Sequence, residues 1–531
     1  MGLDSDGLLI PLATGVPNLD RVLGGGLPRG ALVLVLGPPG SGKTILSGQI
    51  AFAGARRGRR ALLLTALSEP TNKLVAHLRS YTFFAEELLG AVVQVISLQD
   101  ALGRGLPTTQ HAIIDEVRRS RAEIVVIDGF RGIRASQDQP AREFLYDIGT
   151  TLGLQGATTV ITSEADPRDP AFFPEATTAD VIIGLYFDLV GVRQRRGLEV
   201  VKMRGSAPLP GRHGLTLSSS GATVYARLEA RVLEASLQAG SLLSLGGPAS
   251  AAELTGTVPP STERAAFGLV ELDTLLGGGL TRRTSTIVAG SLGAGKTLLG
   301  VHFALAGIQA GEGVVYLGFR ETAEQLQQKA DSFALGGQWR AALEPDGGLT
   351  FLRWEPVDLD ADIVADRLLD ALDRTGATRL LVDSIAELER AVRQTSGPDR
   401  VSNYMAALLA TLRARGVTMV GLWEAPKLLA PELDFTADPA SVLAENVLLM
   451  QQLKYRGALR RVLSVVKTRF SAHDPALREF RIVPPDGIRV LGRFDTGVDV
   501  LVGIAEQQAG LVADMSGEPP AGAKGTATSE G

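Results

Sequence analysis

The sequence predicts an α/β protein built from two tandem copies of one domain. Each copy is a mostly parallel sheet flanked by helices, with antiparallel hairpins appended. Three observations carry this prediction: a long internal repeat, an alternation of Val/Ile/Leu runs with helix-spaced segments in each copy, and one glycine-rich loop type recurring at matched places. At 531 residues the chain is long enough for more than one hydrophobic core.

The repeat is read directly. GVPNLDRVLGGGL (Gly15 to Leu27) returns as GLVELDTLLGGGL (Gly268 to Leu280), an offset of 253 residues. The same offset separates GPPGSGKT, beginning at Gly37, from GSLGAGKT, beginning at Gly290. IVVIDG around Asp128 corresponds to RLLVDS around Asp383, and Val201-Lys202-Met203-Arg204 to Val466-Lys467-Thr468-Arg469. Anchors in one order at a nearly constant offset mean a duplicated domain, and the period is far longer than the roughly 20–50 residues of a solenoid repeat. The expected layout is a leader over 1–12, copy one over 13–240, a small, polar, Pro/Gly-rich linker over 241–263, copy two over 264–504, and a disordered tail over 505–531.

In copy one the apolar runs are 31–37, 61–67, 123–129, 158–163 and 180–187. Helix-spaced stretches such as Ile45 to Gly54 and Asn72 to Arg79 separate the first four. Nearly continuous aliphatic strands joined through helices imply a parallel sheet covered on both faces. GLEVVKMRG and LTLSSSGATVYARL then read as antiparallel hairpins at the sheet edge. Strand order is not legible at this level.

Composition narrows the function classes. Hydrophobic residues at 45% and charged residues at 21% are globular values and exclude wholesale disorder. The formal charge of −5 and an aromatic content of 5% disfavour a general nucleic-acid coat or a single-strand stacking surface. With no cysteine there is no disulfide framework, thiolate metal site or cysteine nucleophile, which fits a reducing cytoplasm. No apolar run reaches the ~18 residues needed to cross a bilayer, and the start, with two Asp and no basic region, does not read as a signal peptide.

The recurring loops have the form GxxxxGK[ST] between a strand and a helix, the pattern of a phosphate-binding P-loop. Gly37-Pro38-Pro39-Gly40-Ser41-Gly42-Lys43-Thr44 and Gly290-Ser291-Leu292-Gly293-Ala294-Gly295-Lys296-Thr297 are the candidate ATP-binding segments. Glycines let the backbone wrap a phosphate with N–H groups inward, and the following helix presents its positive end. Lys43 and Lys296 can reach the β- and γ-phosphates. Thr44 and Thr297 can ligate Mg²⁺. Asp128 and Asp383 each end an apolar strand run, the place of an acid that holds the metal's water shell; a turn-forming Asp after a strand is the plainer alternative.

On these residues the chain resembles the KaiC family of RecA-like P-loop ATPases. The opening G-x-x-x-L-D-x-x-L-G-G-G-L, the two GKT loops, the K-x-R pairs and the stretch VVKTRFSAHDPALREFRI (Val465 to Ile482) carry the likeness, over about residues 13–500. The resemblance implies a homo-hexameric double ring with ATP between subunits, slow hydrolysis and, within the family, Ser/Thr autokinase activity. It also implies that Lys202/Arg204 and Lys467/Arg469 reach the nucleotide of a neighbouring subunit. The residue chemistry agrees: in V-K-x-R on a strand the two cations share a face and repel unless an anion lies between them. A solvated cationic edge strand is the alternative.

The chain also departs from the family pattern. Two adjacent glutamates are expected just after the second strand. In copy one that pair falls on Leu67 and Ser68, with Glu69 one position later; in copy two it falls on Arg320 and Glu321. Leu67 cannot act as a base and Arg320 is always protonated, so hydrolysis is expected mainly from copy two through Glu321, with Glu69 the candidate in copy one. Ser68 and Thr322 also read as helix starts, with the acids merely complementing the dipole. The family's phosphosite region aligns with Pro439 to Met450; Ser441 falls near the first site and Val442 replaces the second. The cluster RRGRR (56–60) reads as a cationic helix cap, and RQRR (193–196) and KYRGALRR (454–461) as solvated charges on equivalent hairpins, a shared position that suggests ring-lining or intersubunit pairing as much as nucleic-acid contact. Alternatives are a non-catalytic scaffold glued by ATP that a signalling partner reads, and a RecA-like DNA-dependent ATPase. A clock role would rest on family analogy alone.

Overall fold

The computed structural model describes residues 11–66, 70–130, 141–166, 168, 177–244, 261–424, 444–455 and 457–494. The chain divides into two compact units. The first comprises Met1–Thr255 with Val357–Asp370 and Ala391–Leu408; the second comprises Gly256–Pro356, Ala371–Arg390 and Leu409–Gly531.

The first unit holds a nine-stranded sheet. Its strands are β1 (Leu32–Leu36), β2 (Ala61–Thr65), β3 (Val93–Ser97), β4 (Ile124–Asp128), β5 (Thr158–Ser163), β6 (Val181–Val190), β7 (Arg193–Met203), β8 (Arg212–Ser218) and β9 (Gly221–Tyr225). Their spatial order is β3-β2-β4-β5-β1-β6-β7-β8-β9. Pairings from β3 to β6 are parallel, and those from β6 onward antiparallel. Alternation along β1 shows why the aliphatic runs are continuous. Val33 and Val35 face one core with Ile50, Phe52 and Val126; Leu32, Leu34 and Leu36 face another with Val125, Ile148 and Ile161. Both faces are dry, so residues of both parities are aliphatic in this strand.

The second unit repeats this plan. After a small antiparallel pair, β10 (Arg264–Ala265) with β11 (Leu280–Thr281), come β12 (Ser285–Gly290), β13 (Val314–Gly318), β14 (Leu349–Arg353), β15 (Arg379–Asp383), β16 (Thr418–Glu424), β17 (Asn446–Tyr455), β18 (Ala458–Thr468), β19 (Arg478–Val483) and β20 (Gly487–Arg493). Their order, β14-β13-β15-β16-β12-β17-β18-β19-β20, is that of the first sheet strand for strand. The P-loop strand lies between β5 and β6 in one sheet and between β16 and β17 in the other, each beside the strand that follows the acid-bearing strand. Ends of β1, β4 and β5, or of β12, β15 and β16, therefore open into one crevice, where α/β sheets bind ligands.

Both sheets are as expected, mostly parallel with antiparallel additions. The edge strands β3 and β14 were not among the expected runs. Their sequences, VQVIS and LTFLR, are interrupted by polar residues and only partly buried, so they lack the continuous aliphatic signature. Helix Leu228–Ser244 extends into the first residues of the stretch read as a linker; residues 245–260 and the tail from 495 lie outside the described residues. The repeated opening motif proves to be packing chemistry. Leu19 and Leu23 are fully buried. Asp20 accepts from the Thr14 N–H at 2.8 Å, and Asp273 from the N–H groups of Phe267, Gly268 and Leu269 at 2.7, 3.0 and 3.1 Å, tying a turn in front of the helix.

Candidate functional site

Each P-loop leaves its strand and turns directly into a helix, Lys43–Arg56 or Lys296–Gln309. The residue before each helix is glycine in the left-handed region, Gly42 at φ 102° and Gly295 at φ 103°, a conformation that side-chain-bearing residues adopt at a cost. The first loop glycine is required for space. A Cβ on Gly37 would strike the Leu185 carbonyl, and one on Gly290 the Met450 carbonyl.

The predicted metal and phosphate groups converge in both copies. Thr44 Oγ1 donates to Asp128 at 3.1 Å, and Thr297 Oγ1 to Asp383 at 3.0 Å. Each acid has a second hydroxyl partner, and here the copies differ. In copy one it is Thr162, from β5; in copy two it is Tyr316, from β13, at 3.0 Å. Neither was found by sequence reasoning, because a Thr in a Thr-rich strand and a Tyr in an apolar strand look like ordinary core. Burial pushes Asp383 above the usual carboxylate range, opposed by its bonds from Thr297 and Tyr316. Burial raises Tyr316 as well, with the neighbouring Asp383 charge acting in the same direction.

Lys43 Nζ donates to the Gly37 and Pro38 carbonyls at 2.9 Å, and Lys296 Nζ to Gly290 and Ser291 at 2.9 and 2.8 Å. Burial lowers both lysines from their ordinary value. Carboxylates partly offset this: Glu164 and Asp128 for Lys43, Glu424 and Asp383 for Lys296. Glu164 and Glu424 are a second finding that the sequence reading missed. Glu424 pairs in register with Gly290, and Glu164 follows Ser163, the register partner of Leu36, so it stands opposite Gly37. The signal lay in the sequence as an acid at the end of the apolar strand that follows the aspartate-bearing one in each copy, but only the sheet order puts that strand beside the P-loop.

A cavity of about 390 Å³ opens at the second P-loop. Lys296, Thr297, Tyr316, Arg320, Glu321, Lys329, Asp383 and Glu424 line it. Glu321 accepts from Lys329 at 2.6 Å, while its Oε2 is buried without a hydrogen-bond partner. The hydroxyls of Ser41 and Ser291, one in each P-loop, are likewise buried and unpartnered. The orphaned serine hydroxyls, beside a desolvated lysine and a hydroxyl–carboxylate pair, are what a magnesium-bound triphosphate would satisfy, while Glu321 Oε2, an acceptor, calls for a donor such as a water. Thr322 heads helix Ala323–Asp331 in a capping box with Gln325, so the helix-start reading holds for Thr322 while Glu321 faces the cavity. Leu67, Ser68, Glu69 and Ser441 lie outside the described residues.

The K-x-R pairs lie on the first antiparallel additions. A β-bulge precedes the lysine in each copy, between Ile182 and Ile183 and between Val447 and Leu448 on the partner strand, re-aiming the side chains that follow. Lys202 Nζ and Arg204 Nη2 donate to the same carbonyl, Thr177 O, at 3.0 and 3.2 Å. Burial lowers Lys202, and the Arg204 charge adds to the lowering. Lys467 Nζ donates to Ala444 O at 2.9 Å, and neither Lys467 nor Arg469 lines the cavity of its own copy. Arginines of the 56–60 and 454–461 clusters are held by protein groups. Arg56, Arg57 and Arg60 donate to carbonyls, Arg59 pairs with Glu123 at 2.7 Å and Arg460 with Glu479 at 2.9 Å. One cluster residue does touch a P-loop: Arg196 Nε donates to Gly40 O at 3.3 Å, as Gln452 Nε2 does to the equivalent Gly293 O at 2.9 Å.

Fold and site together define a tandem P-loop protein on RecA-like sheets. The family model described as the KaiC ATPase matches residues 12–229 and 266–494. Similar curated proteins include the circadian clock protein KaiC3 of Synechocystis sp., 25% identical over 489 residues, 89% of this chain and 90% of the relative. The circadian clock oscillator protein KaiC of Picosynechococcus sp. is 23% identical over 484 residues, covering 89% of this chain and 88% of its own. That of Synechococcus elongatus is 24% identical over 487 residues, covering 89% and 87%. The chain belongs to the KaiC ATPase family, and nucleotide binding and ATP hydrolysis come with it at family level. Among the described residues, no helix is long and apolar enough to cross a membrane.

Proposed function

We propose that both P-loops bind ATP with Mg²⁺, that copy two supplies most of a slow hydrolysis, and that the protein acts as a nucleotide-dependent hexameric ring read by a protein partner. The carrying observation is the convergence, in each copy, of P-loop lysine, P-loop threonine and strand-end aspartate at neighbouring strand ends. Loop N–H groups and Lys43 or Lys296 would hold the β- and γ-phosphates. Thr44 with Asp128, and Thr297 with Asp383, would hold the metal, which supplies charge neutralisation on the phosphates when bound. In copy two Glu321 would take the proton of the attacking water as the bond from γ-phosphorus to the bridging oxygen breaks. Its position in the cavity and its unpartnered Oε2 favour this role. Lys202/Arg204 and Lys467/Arg469 would complete the pocket of an adjoining subunit, and autophosphorylation would fall on Ser441.

Native mass spectrometry with and without Mg·ATP tests assembly and stoichiometry together. A single subunit in saturating nucleotide, with no ligand taken up, removes the reading. Lys296→Ala should abolish most turnover, and an unchanged rate refutes the assignment to copy two. Mass spectrometry after incubation with Mg·ATP tests Ser441, and absence of phosphate on copy two excludes the kinase function.

A further inference from the structure

Arg320 occupies the place of the first acid of the pair expected after the second strand. It also lines the cavity of the second P-loop, with Lys296, Thr297 and Glu321. Its contacts are unequal. Nε and Nη2 both donate to Glu387 Oε1, at 3.0 and 2.8 Å, and the Glu387 side chain is only 2% exposed. Nη1 reaches Glu424 Oε2 at 3.3 Å, and that side chain is 34% exposed. One edge of the guanidinium is therefore anchored on a buried carboxylate, while the other rests on a longer and wetter contact inside the cavity. Glu387 also takes Arg390 at 2.8 Å. Burial and the cluster's bonds bear on the same groups: the Glu424 carboxylate holds the Lys296 charge in place, and the Arg320 charge opposes it.

We propose that Arg320 is a γ-phosphate arginine supplied in cis to copy two, held on Glu387 and exchanged from Glu424 to the terminal phosphate when a nucleoside triphosphate binds. This rests on ATP binding at Lys296. A dianionic terminal phosphate repels Glu424 and attracts the free edge of the guanidinium, whereas a diphosphate lacks the group that Nη1 would meet. The Glu387 anchor fixes the plane of the fork, so the exchange needs only the loose end to move; planar, pre-organised geometry is what arginine offers over lysine. In copy one the corresponding position is Leu67, which can supply no such charge. An arginine placed on a γ-phosphate is worth roughly 10³–10⁵ in rate, which is one source of unequal turnover between the copies.

The test uses the full chain carrying Lys43→Ala, so that only the second site reports. Affinities for ATPγS and ADP and the steady-state turnover are measured for this background, Arg320→Gln, Glu424→Gln and the charge-balanced pair Arg320→Gln/Glu387→Gln. The pair guards against misfolding caused by a buried Glu387 left with Arg390 as its remaining partner. Arg320→Gln and the pair should each weaken ATPγS about ten-fold or more, leave ADP within about two-fold, and lower turnover about a hundred-fold or more. Glu424→Gln should tighten ATPγS several-fold relative to ADP. Equal loss of both nucleotides, or no change in either, in the folded pair overturns the proposal and makes Arg320 a strand tie. Failure of the Lys43→Ala background to bind either nucleotide overturns the ATP-binding reading itself, and this inference with it.

Discussion

Tyr316→Phe is the sharpest test of how the second metal site is held. Tyr316 is 1% exposed, and its ring packs against Trp339 and Phe351 at centroid distances of 6.0 and 5.1 Å. Phenylalanine keeps those contacts, so the change removes little but the hydroxyl that donates to Asp383 at 3.0 Å. A hydrogen bond to a charged group is worth about 1.5–3 kcal/mol. Asp383 keeps its bond from Thr297 at 3.0 Å, so the loss in folding stability should fall toward the low end of that range. The larger effect is on the metal. A carboxylate stripped of an orienting partner typically loses about 10–100-fold in metal affinity. Asp383 already sits above the ordinary carboxylate range through burial, and removing a donor raises it further. The Mg²⁺ requirement should therefore rise most at the acid end of the profile, where the proton competes with the metal. In a Lys43→Ala background, Mg²⁺ half-saturation of turnover should rise by about one to two orders of magnitude while saturating turnover falls much less. An unchanged Mg²⁺ dependence in the folded variant would falsify the account, and Tyr316 would then be core alone. Thr162→Val is the matching change for copy one.

Other outcomes follow from the same geometry. Gly295→Ala forces a side chain into φ 103°, with its Cβ 2.8 Å from Ile482 Cδ1; the strain of about 1–3 kcal/mol should lower the melting temperature and abolish nucleotide binding at the second loop, and retention of full affinity would contradict the cradle. Burial lowers Lys43 and Lys296 below 10.5, so in the alkaline window between the lowered and ordinary values the unfolded chain holds the proton longer and the nucleotide-free fold gains stability as pH rises. Bound phosphates reverse the shift: ATP binding there should take up protons, visible by calorimetry in buffers of differing ionisation enthalpy, and the ATP-induced gain in melting temperature should shrink as pH rises. If Lys467 and Arg469 act on a neighbour, then protomers carrying Lys467→Ala/Arg469→Ala and protomers carrying Lys296→Ala, each inactive alone, should regain turnover on mixing; no recovery in mixed oligomers counts against the trans role.

Much was legible in the sequence because the physics there is local. A strand buried on both faces is largely aliphatic, as β1, β2 and β4 are, and a phosphate cradle must place glycine where no Cβ fits. Duplication then wrote each signal twice, as at Gly42 and Gly295 or Asp128 and Asp383. What needed the tertiary structure was whatever depends on which strands are neighbours. Tyr316 lies in an apolar run and Glu424 is one acid among many until β13, β15, β16 and β12 are ordered side by side. Arg320 read as a missing base, and only the fold brings it onto Glu387 and Glu424 in the same cavity as Lys296. Composition and periodicity report how each element meets its own core. They carry no record of which strand ends share a crevice, because that is set by crossover connections between segments far apart in the chain.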